Sequence, residues 1–390
     1  MSGWINYPCT VTSYDMNENE MGYCGSKSSA IALVKEQRVD GSYSFSIELL
    51  RCILMAPVMG YQPETLSNQN NESVTLTKKS KLNKLDPWFM SGFVDAEGYF
   101  SIELSKDSKA KFKFTPKLIF GINLHVKDLA ILLSFKNTWG VGTVSTKGKV
   151  TSYTVKSFKD LAVIVNHFKL YPLVTSKYIV FQYWLQAYNI MATKEHFNYL
   201  GMTKLATLKN LINYGLSDSL KQAFPDLNIS LIDIMIYKFK GIPHEMWVAG
   251  FTSGDGSFYT KMISYKDTFY TGCIFKITLH PKDTAVLEGL YNYFSNYFTK
   301  ISFNKYNSRT NKVVGFSKQN VSLTISNIQD IGNIVIPFFD LYPVLGVKKL
   351  DYNDFKKIYN IILSKDHLKP EGLAQIIQIR NNMNDKRTEF

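Results

Sequence analysis

Residues Trp88-Phe89-Met90-Ser91-Gly92-Phe93-Val94-Asp95-Ala96-Glu97-Gly98-Tyr99-Phe100 decide the fold, because the stretch returns as Met246-Trp247-Val248-Ala249-Gly250-Phe251-Thr252-Ser253-Gly254-Asp255-Gly256-Ser257-Phe258. Each copy is an apolar run of helical length that ends in an acid followed by glycine. Asp86-Pro87 before the first copy suits an N-cap with proline in the first turn. Gly98 reads as a C-terminal stop. Gly92 and Ala96 lie four apart on one helix face, and Gly250 and Gly254 repeat the spacing. Small residues at that spacing let two helices approach backbone to backbone. The two helices are expected to pack about a pseudo-twofold axis, bringing Glu97 and Asp255 together.

Working outward, three more blocks recur in the same order. Ile119-Phe120-Gly121-Ile122-Asn123-Leu124-His125-Val126-Lys127-Asp128 pairs with Ile274-Phe275-Lys276-Ile277-Thr278-Leu279-His280-Pro281-Lys282-Asp283. Tyr171-Pro172-Leu173 to Lys177 pairs with Tyr342-Pro343-Val344 to Lys348. Lys194-Glu195-His196 with Gly201 pairs with Lys365-Asp366-His367 with Gly372. One domain is duplicated. In each half a helix precedes two strands, expected at 99–106 and 111–123, then at 257–265 and 271–279. A helix follows each shared Lys-Asp pair, near 127–138 and 282–298. Two more strands are expected near 141–147 and 150–156, then near 300–306 and 312–325, before the closing helices. The class is α+β, with two αββαββα domains at 81–215 and 245–390 joined by a linker at 216–244. Residues 1–80 read as a weakly structured leader, ending in the polar run Ser67-Asn68-Gln69-Asn70-Asn71-Glu72-Ser73.

The 390 residues carry a formal charge of +13. Residues 1–80 hold six Lys+Arg against eight Asp+Glu, whereas 81–240 hold 21 against 11. The basic character therefore belongs to the duplicated part, and it points to a polyanion. The four cysteines, Cys9, Cys24, Cys52 and Cys273, have no CxxC spacing, which argues against a zinc module or disulfide framework. No apolar run is long enough for a membrane span, and the N-terminus lacks the pattern of a signal or transit peptide.

Two carboxylates forced together at the C-terminal ends of helices repel each other and the negative end of each helix dipole. A divalent cation resolves that repulsion, and an all-oxygen site favours a hard ion such as Mg²⁺. Such a site suits phosphodiester hydrolysis. On these residues the chain resembles the LAGLIDADG homing endonucleases, over about residues 85–390. It looks most like fungal mitochondrial intron-encoded members, in the branch containing the Ophiostoma novo-ulmi enzyme. The resemblance implies two curved antiparallel sheets forming a DNA-binding saddle. It also implies metal-dependent, staggered double-strand cleavage of a long, non-palindromic DNA target by a monomer in the mitochondrion.

The resemblance makes Glu97 and Asp255 the metal-binding catalytic acids, with the adjoining Ala96 and Gly254 at the metal, and Lys177 and Lys348 the active-site lysines. The family's earlier acid is Asp95 in the first copy and Ser253 in the second. A glutamine frequent in relatives is replaced by Leu124 and Leu279, so its role is missing or passes to Asn123 and Thr278. His125, His280, His196 and His367 recur but read as structural. Lys109, Lys111 and Lys113 alternate with Phe112 and Phe114, as on a strand with one basic face. With Lys106, Lys117, Lys147 and Lys149 they are expected to contact DNA. The second half offers Lys261, Tyr265, Lys300, Lys305, Arg309 and Lys312. The alternative reading is an RNA maturase that assists splicing of its host group I intron, with that intron RNA as partner.

Overall fold

The computed structural model describes residues 84–387, apart from 214, 266–267, 298–313 and 317–319. The expected leader lies outside the described residues. So do Lys300, Lys305, Arg309, Lys312 and the strand expected at 300–306.

Helix α1 spans Pro87–Glu97. The Asp86 side chain accepts from the backbone N–H groups of Trp88 and Phe89, and Pro87 occupies the first turn, so two orphan donors are satisfied. Gly98 ends the helix as expected, with extended backbone at φ −78°, and opens strand β1 directly. Its requirement for glycine is steric, because a Cβ there would sit 2.5 Å from Val94 Cγ1.

The first half continues with β1 (Gly98–Lys106), β2 (Phe114–His125), α2 (Leu129–Trp139), β3 (Thr143–Lys147), β4 (Val150–Val155), α3 (Phe158–Leu170), α4 (Lys177–Ala192) and α5 (Tyr199–Asn213). A short helix, α6 (Asp218–Ala223), follows. Leu216, Leu220 and Phe224 are buried in the first half's core, so the start of the expected linker packs as part of that half. The second half holds α7 (Glu245–Asp255), β5 (Gly256–Tyr265), β6 (Thr268–Leu279), α8 (Thr284–Tyr297), β7 (Val314–Phe316) and β8 (Val321–Ile325). It closes with α9 (Ile328–Asp330), a π-helical turn at Ile331–Val335, α10 (Ile336–Leu341), α11 (Val347–Leu363) and α12 (Pro370–Arg380). The segment 312–325, expected as one strand, therefore contains both β7 and β8, paired antiparallel.

Both sheets are antiparallel, in the orders β1-β2-β4-β3 and β5-β6-β8-β7. Period-two alternation gives each strand one face toward the helices. In β1 that face is Phe100, Ile102 and Leu104, all buried. In β5 and β6 it includes Phe258, Cys273, Phe275 and Ile277, also buried. Each half has its own apolar core, and burying each large side chain contributes roughly 1.5–3 kcal/mol. The cores interlock: Ala249 of α7 belongs to the first, while Trp88 and Ala96 of α1 pack on the second. Among the described residues no helix is long and apolar enough to cross a membrane.

Candidate active site

Helices α1 and α7 meet backbone to backbone at Gly92 and Gly250. A Cβ on Gly92 would overlap the carbonyl oxygen of Trp247, and one on Gly250 would overlap that of Phe89. A Cβ on Gly254 would collide with Ala96 Cβ and lie 3.0 Å from Glu97 Cγ and 3.5 Å from Glu97 Oε1. The expected juxtaposition therefore exists: Glu97 passes directly beside the last turn of the helix that ends in Asp255.

Burial pushes the Asp255 carboxyl up to about 6, and the nearby Glu97 charge adds to the rise, while Lys177 and Lys348 oppose it. Burial also raises Glu97. Lys177 and Lys348 pull it back, and Asp128 raises it further. Two partly desolvated acids lie together with two lysines nearby, and the acids' donor atoms are all oxygens. That donor chemistry fits a hard divalent cation, which would relieve both the repulsion and the unfavourable helix ends.

The lysine of the first half is fixed. Lys177 begins α4, and its Nζ donates to the carbonyl oxygens of Val94 (2.9 Å) and Ala96 (3.2 Å) at the end of α1. The Ala96 carbonyl thus offers a cation only its remaining lone pair. Burial lowers the Lys177 pKa, and Asp95, Asp255, Glu97 and Asp283 all oppose that shift. Lys348, at the same place in α11, faces the same two acids electrostatically.

Asp95 and Ser253 hold the approach to these lysines. The buried Asp95 carboxylate accepts from Val174 N (2.7 Å), Thr175 N (3.1 Å), Thr175 Oγ1 (2.6 Å) and Trp247 Nε1 (2.9 Å). Burial raises its pKa, and these donors counter the rise. In the other half Ser253 Oγ accepts from Leu345 N at 3.0 Å and donates to Ala249 O at 2.7 Å. Leu345 is the repeat equivalent of Val174. The serine keeps one of the contacts that the aspartate makes.

Several expected DNA contacts move. Lys109, Lys111 and Lys113 are not on a strand, because residues 107–113 form the turn between β1 and β2. Asp107 organises that turn by accepting from Lys109 N and Thr115 Oγ1. Lys113 takes φ +61° and donates through Nζ to Ser108 O. Lys106 is exposed at the end of β1. It shares strand parity with Phe100, Ile102 and Leu104, so it lies off the open face of the sheet. Lys117 and Lys147 are exposed and on the open face, with Lys117 directly opposite Glu103. Lys149 lies in the β3–β4 turn. Lys261 is exposed on the open face of β5, and the Tyr265 backbone has the same parity.

The open faces carry residues that pattern reading missed. Tyr99 lies over Gly121, its cross-strand partner, where any Cβ would strike the ring. Asn123 hydrogen-bonds the Tyr99 hydroxyl, although burial still raises the Tyr99 pKa. Lys276 replaces Gly121 in the second half and pairs with Ser257 and Thr324. The repeat alignment was the available signal for it. His125 and His280 do act structurally: each ring Nδ1 accepts from the backbone N–H two residues on, capping a short 3-10 turn.

This geometry defines a class: a duplicated α+β chain whose two helix-end acids face each other below paired sheets. Residues 90–188 and 248–359 match the profile of the family described as LAGLIDADG endonuclease. The chain belongs to that family. It is 31% identical to Probable intron-encoded endonuclease 3 of Neurospora crassa, over 96% of this chain and 72% of the relative. The crystal structure of the LAGLIDADG meganuclease I-CpaMI bound to uncleaved DNA is 36% identical, with TM-score 0.70, covering 77% of this chain and all of that one. I-SmaMI bound to an uncleaved DNA target with calcium ions is 33% identical, with TM-score 0.69, covering 77% and 99%.

Proposed function

We propose that this LAGLIDADG endonuclease makes a staggered double-strand break in a long, non-palindromic DNA target by metal-dependent hydrolysis. The approach of Glu97 and Asp255 at the base of the glycine-packed helices carries this reading. The two acids, with the adjoining Ala96 and Gly254 carbonyls, would hold Mg²⁺, which supplies Lewis-acid stabilisation of the phosphodiester oxygens and an acidified water. Lys177 and Lys348 place ammonium groups beside the acids, where they offset negative charge developing on the phosphoryl oxygens. The open faces read the duplex. Lys117, Lys147, Lys261 and Lys276 supply positive charge there, and the turn lysines Lys109 and Lys111 reach the phosphate backbone.

Both acids come from one chain, so a monomer suffices. The two halves present different open faces, which matches an asymmetric target. The intron-encoded relative supports origin from a fungal intron, and residence in the mitochondrion belongs to the same reading.

Cleavage selection on a randomised duplex library, with and without Mg²⁺, tests the reading and yields the target. Glu97→Gln should abolish cutting on that target while leaving its gel-shift affinity within about threefold, since the metal ligand is lost but the DNA-facing charge is not. Continued Mg²⁺-dependent cutting by this variant would overturn the metal assignment. Tight binding to the host intron RNA, with no preferred DNA site, would replace endonuclease by maturase.

A further inference from the structure

The Lys-Asp pair that recurs after β2 and β6 enters the site so far only through the charge of its aspartates on Glu97 and Lys177. The structure gives those aspartates a further part. Asp283, in the second half, accepts through Oδ1 from Ser176 N at 2.6 Å and through Oδ2 from Ser176 Oγ at 3.0 Å. Ser176 belongs to the first half and immediately precedes Lys177. Asp128, in the first half, accepts through Oδ1 from Val347 N at 2.7 Å. Val347 belongs to the second half and immediately precedes Lys348. The two contacts are equivalent under the repeat, and both cross from one half to the other.

Their surroundings show that the crossing is built in. Asp283 is buried at 6% exposure. Gly346 has φ +69°, and a Cβ there would overlap Asp128 Oδ1, so the chain before Lys348 is shaped around that carboxylate. Neither α4 nor α11 has a side-chain hydrogen bond from its own N-cap residue. The cap residue Ser176 of α4 and the first residue Val347 of α11 are instead held by carboxylates of the opposite domain. A carboxylate at a helix N-terminus is also favoured by the dipole.

We propose that Asp283 and Asp128 are positioning residues exchanged between the halves, each fixing the active-site lysine of the other half through the backbone N–H just before it. The proposal rests on the endonuclease reading. It explains why the Lys-Asp block and the lysine block are retained as a pair in both halves. It also ties the two strand cuts together, because neither lysine is held by its own domain alone.

The test uses the full chain and a duplex carrying a site recovered by cleavage selection, with a different fluorophore on each strand. Lys177→Met and Lys348→Met first establish which strand's cut depends on each lysine. Asp283→Ala should slow the Lys177-dependent strand by about 10- to 100-fold relative to the other strand, as a small misplacement of a reacting group does. Asp128→Ala should slow the Lys348-dependent strand. Asp283→Asn, which keeps an acceptor for Ser176 N, should retain rate. Asp283→Ala should add nothing in the Lys177→Met background.

Equal slowing of both strands by Asp283→Ala, or bias toward the Lys348-dependent strand, would overturn the exchange. Should Asp283→Ala not fold, Asp128→Ala, which removes the equivalent acceptor for Val347 N, must still slow the Lys348-dependent strand selectively, and the absence of that bias also overturns the proposal. A wild-type chain that cuts neither strand would instead overturn the endonuclease reading itself, and this proposal with it.

Discussion

Asp255 and Glu97 end equivalent helices and burial raises both, Asp255 to about 6 with the Glu97 charge adding to the rise. The sign of the linkage follows. A carboxyl raised in the folded state makes its stabilising contribution below the ordinary value of 3.8, and that contribution is lost as pH rises through about 6. The metal-free protein therefore carries a strained ionised Asp255 at neutral pH. Asp255→Asn should stabilise the metal-free chain by up to about 3 kcal/mol at pH 8, with the gain vanishing near pH 4. Urea melts in EDTA at both pH values check this; equal stability at pH 8 would contradict it. Both acids were legible in the sequence, because an acid before glycine recurs at the end of a recurring helix. The four donors to Asp95 were not. They come from Val174, Thr175 and Trp247, distant in sequence, and only the fold brings them to one carboxylate.

Elements were legible where one periodicity dominated. The glycine spacing of α1 and α7 foretold their contact, and the acid–glycine junctions foretold β1 and β5. The turn at 107–113 was misread, because lysines alternating with phenylalanines imitate a half-buried strand. Asp107 and the left-handed Lys113 instead close a hairpin. Gly92→Ala should destabilise the protein by at least about 3 kcal/mol, because its methyl would meet unyielding backbone. Gly140→Ala meets nothing within 4 Å and faces only its φ of +71°, a cost of about 1–2 kcal/mol. Denaturant midpoints of the two variants should rank in that order. The strand faces give a second expectation. Lys261→Ala should reduce the slope of log affinity against log salt by about 0.9, as for one lost phosphate contact, while Lys106→Ala leaves it unchanged. Filter binding across a salt series decides this; equal slopes for both variants would mean that strand parity does not mark the DNA-facing lysines.

At the scale of the whole molecule the duplication was the readable feature, and the joins between its halves were not. The C-terminal segment shows why. Arg387 donates to Asp351 Oδ1 at 2.9 Å and Asp354 Oδ2 at 2.6 Å on α11, while its own carbonyl accepts from Lys127 Nζ of the first half. Nothing in the local sequence marks that arginine as a clasp. Asp351 and Asp354 are both buried. Arg387→Ala leaves Asp354 paired with Lys357 but strips Asp351 of its counter-charge, keeping only the Asn384 N–H, so it should cost about 3 kcal/mol, lowering the melting temperature in calorimetry; an unchanged transition would deny the clasp a role in stability. The glycine contact between α1 and α7 has a different consequence. At Gly92 and Gly250 its separation is set by main-chain atoms touching main-chain atoms, so it acts as a ruler that substitutions in the sheets cannot recalibrate. Drift in the sheets can alter which sequence is recognised. Under the proposed cleavage the distance between the two incisions would stay with the backbone, making target choice and cut spacing separately inheritable traits.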